Sequence, residues 1–289
     1  MQARAATGAL LLVCAVFAAA LVPTQDANAQ RATESAATSA VASAVTPAGT
    51  HAGTHAGTHA ATRTSVPWST GEYLEYDVKF NSITAGLGRI QVIGLDTVRG
   101  RTAWKLQFAL TGGIPFYRVS DSYFSWIDTA TLSSLRFVQQ LSEGNYHPTR
   151  IFEIFPERGI FQQNGKPEQK SVAQPLDDAS FFFFIRTIPL EVGKSYEFNR
   201  YFNPEGNPVI VRVLRKERIR VPAGTFDAIV IQPIIRTKGI FSQDGMAELW
   251  LSDDPRHMLL QMKSKFSFVT LGLFLKKSTL PPLGPESGR

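Results

Sequence analysis

The chain has 289 residues, room for one large domain or two small ones. Apolar residues make 44% and charged residues 19%, which excludes wholesale disorder and leaves enough apolar side chain for a sizeable core. The net charge of +6 is spread along the chain, which suits an anionic surface and argues against nucleic acid as a partner.

Residues 1–29 have the pattern of a secretory signal peptide. Arg4 gives a positive start, Ala9 to Val22 form an apolar run, and Ala27-Asn28-Ala29 supplies small residues before a cut at Gln30. The run is shorter than the roughly 20 residues that span a bilayer. Cys14, the single cysteine, lies inside the apolar run behind Val13, where a lipobox would need a small residue. It leaves with the signal, so the mature chain is expected to have no thiol, disulfide or cysteine metal site.

Residues 30–67 are mostly Ala, Thr, Ser and Gly, and predict a disordered linker. His51, His55 and His59 recur at a spacing of four, but Gly53 and Gly57 interrupt the tract and nothing apolar anchors it. It is taken as low-complexity repeat and not as a metal site.

From Trp68 the texture changes. Leu74, Tyr76, Val78 and Phe80 alternate with Glu75, Asp77 and Lys79, the period of a half-buried strand. Trp104, Leu106, Phe108 and Leu110 repeat the pattern, as do Met258, Leu260, Met262, Phe266 and Phe268. Arg99-Gly100, Asn164-Gly165, Pro222-Ala223-Gly224-Thr225, Asp244-Gly245 and Asp253-Asp254-Pro255 read as turns. The expected fold is mainly β: an antiparallel curved sheet or open β-barrel over residues 68–278, with a frayed tail at 279–289. One segment differs. Asp177-Asp178-Ala179-Ser180 caps a short helix that carries Phe181 to Phe184 and stops before Pro189. Phenylalanine all round a helix means burial within the sheet, or a lid over an apolar cavity.

Catalytic motifs are sparse. His147 and His257, the histidines of the folded part, follow loop and turn sequences, and no G-x-S-x-G elbow is present. Asp253 and Asp254 lack the further oxygen ligands of a calcium or magnesium site. Gly193-Lys194-Ser195 lacks the upstream glycine of a phosphate loop. No cofactor and no metal are expected.

Two clusters are candidates for binding. Tyr117, Arg118, Tyr123, Phe124 and Trp126 crowd one segment and, with Phe182 and Phe183 of the helix, would line a cavity for an apolar or amphipathic ligand. Arg212, Lys216, Arg218 and Arg220 share one parity and, on a regular strand, form a basic stripe for an anionic partner: phosphate, lipid headgroups or an envelope protein. The plainer alternatives are core packing and a solvated sheet face.

Five runs carry a family resemblance. Pro115 to Asp121, Thr131 to Phe137, Ile188 to Lys194, Val221 to Asp227 and Leu249 to Arg256 resemble, in order, those of the bacterial DUF 3108 family over about residues 70–275. The resemblance implies an exported envelope protein of mostly antiparallel β structure with no established activity, and it brings no catalytic residues. A fold-level analogy extends to curved sheets that shelter lipid in periplasmic carriers.

The leading expectation is a non-enzymatic periplasmic or cell-envelope protein, soluble or peripheral to a membrane, that binds a lipid-like molecule. The alternatives are a module that docks an envelope partner through a sheet edge or the basic stripe, and a hydrolase using His147 or His257.

Overall fold

The computed structural model describes residues 64–114, 117–235, 246–266 and 269–283. The signal and cleavage segments, most of the linker with its three histidines, Phe116, Phe268 and the last six residues lie outside these. The strands are β1 (Tyr73–Phe80), β2 (Ile83–Val98), β3 (Arg101–Ile114), β4 (Tyr117–Asp128), β5 (Ser134–Gln140), β6 (Thr149–Phe155), β7 (Ile160–Gln163), β8 (Gln169–Lys170), β9 (Ser195–Phe198), β10 (Val209–Val221), β11 (Gly224–Ile234), β12 (Met246–Ser252), β13 (Leu259–Phe266) and β14 (Val269–Thr279). They form one 14-stranded antiparallel sheet in the order β8-β7-β6-β5-β4-β3-β2-β1-β14-β13-β12-β11-β10-β9. Sequence neighbours pair everywhere except between β8 and β9, and β1 against β14 joins the two halves of the chain.

The period-two pattern does what it predicts. In β1, Leu74, Tyr76 and Val78 are buried while the residues between them stay partly exposed. Leu106, Phe108 and Leu110 of β3 are buried likewise, with Gln107 partly exposed and the small Ala109 buried between them. Inward residues from both halves enter one apolar cluster, so the sheet is curled around a shared core. Tyr76 Oη crosses to donate to the Leu259 carbonyl at 2.9 Å. Bulges bend β2, β5, β10, β13 and β14 on the way round.

The edge strands β8 and β9 are not neighbours in the sheet. The segments that follow them meet instead. Leu176 N–H donates to the Arg200 carbonyl at 2.5 Å and Phe202 N–H to the Leu176 carbonyl at 2.9 Å. Ser171 Oγ adds a bond to the Phe202 carbonyl at 2.7 Å. The result is an open barrel with an irregular seam.

The helix α1 (Asp178–Phe184) plugs that barrel. Asp177 caps it, accepting from the Ala179 and Ser180 amides at 3.0 and 2.9 Å. Ser180 Oγ returns the bond from the Asp177 amide at 2.8 Å, completing a capping box. Seven residues are too few to hold a helix in water; packing holds this one. Phe182 stacks on Phe108 at 5.3 Å, Phe183 meets Trp68 edge-on at 5.4 Å, and Phe184 meets Phe198 edge-on at 5.0 Å. All four phenylalanines are buried, each contributing about 1.5–3 kcal/mol of transfer free energy. Of the two expectations for this helix, the plug is the one observed.

Just beyond it, Arg186 ties the base of the barrel together. Its side chain is 2% exposed and that of Glu72 1%. Nη1 and Nη2 donate to the two Glu72 oxygens at 2.6 and 3.1 Å. Nη2 also reaches the Pro67 carbonyl at 2.9 Å, and Nε the Arg256 carbonyl at 2.9 Å. The chain leading into β1, the end of the helix and the Asp253–His257 turn therefore meet at one guanidinium, with Trp68 and Phe183 against its faces.

The packed region extends past both expected boundaries. Val66 is buried and Thr64 N–H donates to the Thr129 carbonyl at 3.0 Å, so residues 64–67 are not linker-like. At the other end β14 continues to Thr279, and the Pro281 carbonyl accepts from Arg256 Nη2 at 2.5 Å.

Candidate functional site

The residues expected to line one cavity lie in three places. Tyr123 is buried in the core, 5.9 Å from Phe108, and belongs with Phe182 and Phe183. Phe124 and Trp126 alternate to the other face of β4, where they pack 6.3 Å apart. There Lys105 and Arg136 lie over the Trp126 ring at 5.0 and 5.8 Å, and its Nε1 donates to Asp96 Oδ2 at 2.8 Å. Tyr117 and Arg118 sit at the far end of β4, Tyr117 against Gly144 and Arg118 exposed. The pocket beside α1, lined by Phe181, Phe184, Phe198 and Tyr201 among others, has about 20 Å³ of free space, about one water molecule. Phe182, Phe183 and Tyr123 are themselves buried, each in ring contact with Phe108 or Trp68.

The basic stripe also breaks up. Arg212 pairs with Gln232, but a register shift between Val213 and Arg215 leaves Lys216 opposite Ile229, Arg218 opposite Asp227 and Arg220 opposite Thr225. Gln232 and Ile229 differ in parity on β11, so Arg212 faces away from the other three. Lys216 pairs with Asp253 at 2.8 Å, and Arg218 stands 4.0 Å from Asp227. The stripe required a regular strand, and β10 is bulged.

The histidines are set apart from carboxylates in the contacts they make. His147 is exposed, with Nδ1 3.1 Å from Ser142 Oγ. His257 Nδ1 lies 3.1 Å from the Arg186 carbonyl, inside the clamp at the base. Asp254 does what a turn residue does, accepting from the Arg256 amide at 2.8 Å and from Ser252 Oγ at 3.0 Å.

A concave surface occurs elsewhere, at the ends of β2, β3 and β4 farthest from the clamp. It is an open groove of about 730 Å³, and its lining includes Gly86, Leu87, Gly112, Gly113, Arg118 and Val119. Its floor is bare backbone by necessity. Gly86 and Gly112 are cross-strand partners, and a Cβ on Gly86 would sit 2.2 Å from the Thr111 carbonyl oxygen, one on Gly112 2.4 Å from that of Ala85. Gly113 has a φ of 128°, beyond the range of ordinary side-chain-bearing residues. Leu87 and Ile83 are 40% and 68% exposed nearby, and Arg118 supplies a cation at the rim.

One edge of the groove is bordered by the start of the β5–β6 connection. Ser120 N–H donates to the Ser142 carbonyl and Gly144 N–H to the Arg118 carbonyl, both at 2.8 Å. Beneath this edge two acids face each other. Asp121 is 1% exposed and Glu143 7%. Asp121 Oδ1 accepts from the Ser142 amide at 2.9 Å; Asp121 Oδ2 and Glu143 Oε1 are buried and, with both groups ionised, have no partner. A proton shared between them supplies one. Burial, reinforced by the facing Asp121 carboxylate, raises Glu143 from 4.5 to about 7. Burial also raises Asp121, against the pull of the Ser142 amide. Tyr123 Oη is buried close by without a partner, and its ionisation is pushed up first by burial and then by Asp121 and Glu143. Asp121 was legible as an acid at an inward parity between Val119 and Tyr123. Glu143 carried no such signal, because its place is set by a connection and not by a strand.

A second buried acid lies at the seam. Asp178 accepts from Tyr201 Oη at 3.0 Å, while its Oδ2 is unpartnered. Burial, and then the neighbouring Asp177, raise it well above the usual carboxylate range.

One similar solved structure supports the barrel. A β-barrel-like protein of domain of unknown function DUF1849 from Brucella abortus is matched with a TM-score of 0.51 at 8% identity, over 75% of this chain and 100% of that one. Weaker matches, each covering 75% of this chain and 100% of the other, are a protein described as a lipoprotein from Parabacteroides distasonis (TM-score 0.31, 12% identity) and one described as exported, with a YmcC-like fold, from Bacteroides fragilis (0.28, 9%). No curated protein matches the sequence. The family model of DUF3108, a protein of unknown function, matches residues 75–276, which takes in the strands from β1 to β14, the plug helix and the groove; the chain belongs to the DUF3108 family.

Proposed function

We propose that the protein is a non-enzymatic, exported envelope protein that binds an anionic amphipathic molecule, a lipid-like ligand, in the groove at the ends of β2–β4. The observation that carries this reading is the contrast in space. The groove offers about 730 Å³, within the range of about 300–1,000 Å³ in which small-molecule sites fall. The pocket beside the plug offers about 20 Å³. A glycine floor lets a flat or extended molecule approach the backbone closely. Leu87 and Val119 provide apolar contact, and exposed Arg118 a cation for an acidic headgroup. The amino-terminal signal pattern supports export. The ligand site thus moves from the aromatic cluster to its neighbour, retaining Arg118.

Native mass spectrometry of the mature protein purified from its own envelope, followed by lipid extraction, tests the proposal. A co-purifying amphiphile that is lost in Arg118→Glu and Leu87→Asp supports it. A ligand-free mass, or binding unchanged in both folded variants, removes it. Docking through the basic stripe is the weaker alternative, because β10 splits the stripe between two faces.

A further inference from the structure

Residues 141–146 run back along the end of β4 as a short strap. Glu143 forms a bridge with Val119 and closes a tight turn with Tyr146 through bonds of 2.9 and 3.0 Å. Tyr117 covers Gly144 so closely that a Cβ there would lie 2.9 Å from its ring. Beside buried Leu141 and the Ser142 amide bond to Asp121, the strap turns Glu143 inward against Asp121, and that contact is between like groups. Two carboxylates in one dry site cannot both ionise without strong repulsion.

We propose that the strap is a proton-dependent latch on the edge of the groove, closed while the Asp121–Glu143 pair carries a shared proton and released when that proton leaves. Release would unpair the Ser120 amide and the Arg118 carbonyl, both on the groove side of β4. The latch stands whether or not the groove takes a lipid, since it depends only on the strap and the pair.

The groups around the pair set the sign. Tyr123 on β4 faces it with an orphaned hydroxyl, and Asp178 on α1 adds negative charge toward that same tyrosine. Arg150 on β6 is the opposing cation. Its guanidinium is engaged with Tyr146 Oη at 2.9 Å and Gln139 Oε1 at 3.4 Å, so it attracts Glu143 without a direct ion pair among the described contacts. His147 touches the strap through Ser142. With Glu143 raised from 4.5 to about 7, the closed form binds the proton more tightly than the open one. Closure is complete at lower pH and is lost as pH rises through about 7.

Hydrogen exchange of the full chain, read by mass spectrometry between about pH 5.5 and about pH 8.5 and corrected for intrinsic rates, tests this. Amides of 141–146 should lose at least about tenfold in protection across that range, while those of 106–110 in β3 stay fixed. Glu143→Gln should keep the strap protected at both ends of the range, and Asp121→Asn should do the same should the first variant misfold. His147→Gln should keep the wild-type step. Protection that does not change with pH overturns the latch. So does a step that survives in Glu143→Gln or vanishes in His147→Gln. Protection restored at high pH by added calcium would assign the pair to a cation and overturn it equally.

Discussion

The two ends of strands β1–β4 bury charge in opposite ways. At the base, Arg186 meets Glu72 with two hydrogen bonds, and its remaining donors reach the Pro67 and Arg256 carbonyls. At the groove end, Asp121 and Glu143 meet with no cation in direct contact and with oxygens that need a proton. A satisfied opposite-charge pair resists separation, because removing either partner strands the other in a dry core. A like-charge pair is stable in only one protonation state, so its end of the barrel answers to pH. The same sheet therefore carries a fixed end and a conditional end.

The largest effect expected from breaking this contrast is at the clamp. Arg186→Met should destabilise the fold by about 3–5 kcal/mol, since Glu72 is left buried with only the longer contact to Arg256 Nη1 at 3.5 Å. Urea unfolding of the single variant and of Glu72→Gln/Arg186→Met gives the check, and the double variant should recover part of the loss. A cost below about 1 kcal/mol would mean that the clamp tolerates water.

The plug comes next. Phe183→Ala opens a cavity against Trp68 and should cost about 3–4 kcal/mol. Thermal and urea unfolding measure it. Ligand retained by the folded variant would separate the plug from the binding surface, and loss of ligand at full stability would return the helix to the site.

At the conditional end the sign reverses. Glu143→Gln should stabilise the protein above about pH 7 by about 1–3 kcal/mol and leave it unchanged at about pH 5, where the wild-type pair already holds its proton. Unfolding curves at both values decide between this and a plain loss of packing, which would lower stability at each.

The strands and the helix start were easier to read from the sequence than the Glu72–Arg186 clamp or the groove end, for physical reasons. Alternation in Leu74–Phe80 and Trp104–Leu110 reports which side chains enter the core, and the observed strands follow it. Asp177 and Ser180 mark the helix start because caps are local. What alternation does not carry is register between strands. Phe124 and Trp126 have the right composition for a cavity, yet face outward beneath Lys105 and Arg136. Arg212 leaves its stripe because one extra residue sits in β10. The groove escapes notice altogether: its floor is glycine, and what forms it is the absence of side chains where Gly86 and Gly112 pair. Glu143 is placed by a connection, so no period announces it.

The smallest effect expected concerns an exposed ion pair between β10 and β11. Arg218 and Asp227 are 73% and 72% exposed and stand 4.0 Å apart, a separation at which water and salt screen most of the attraction. Arg218→Glu puts like charges opposite each other, and the two side chains have room to swing apart. Stability should stay within the roughly 0.5 kcal/mol scatter of ordinary surface changes. Ligand recovered with the variant should match wild type, in contrast to Arg118→Glu, although both replace an exposed arginine by glutamate. The difference between them is the surface beneath. Arg118 borders a concave backbone floor, while Arg218 stands exposed on a strand opposite its counter-charge Asp227. Equal loss in both variants would show that overall positive charge draws the ligand and that the groove contributes no specificity.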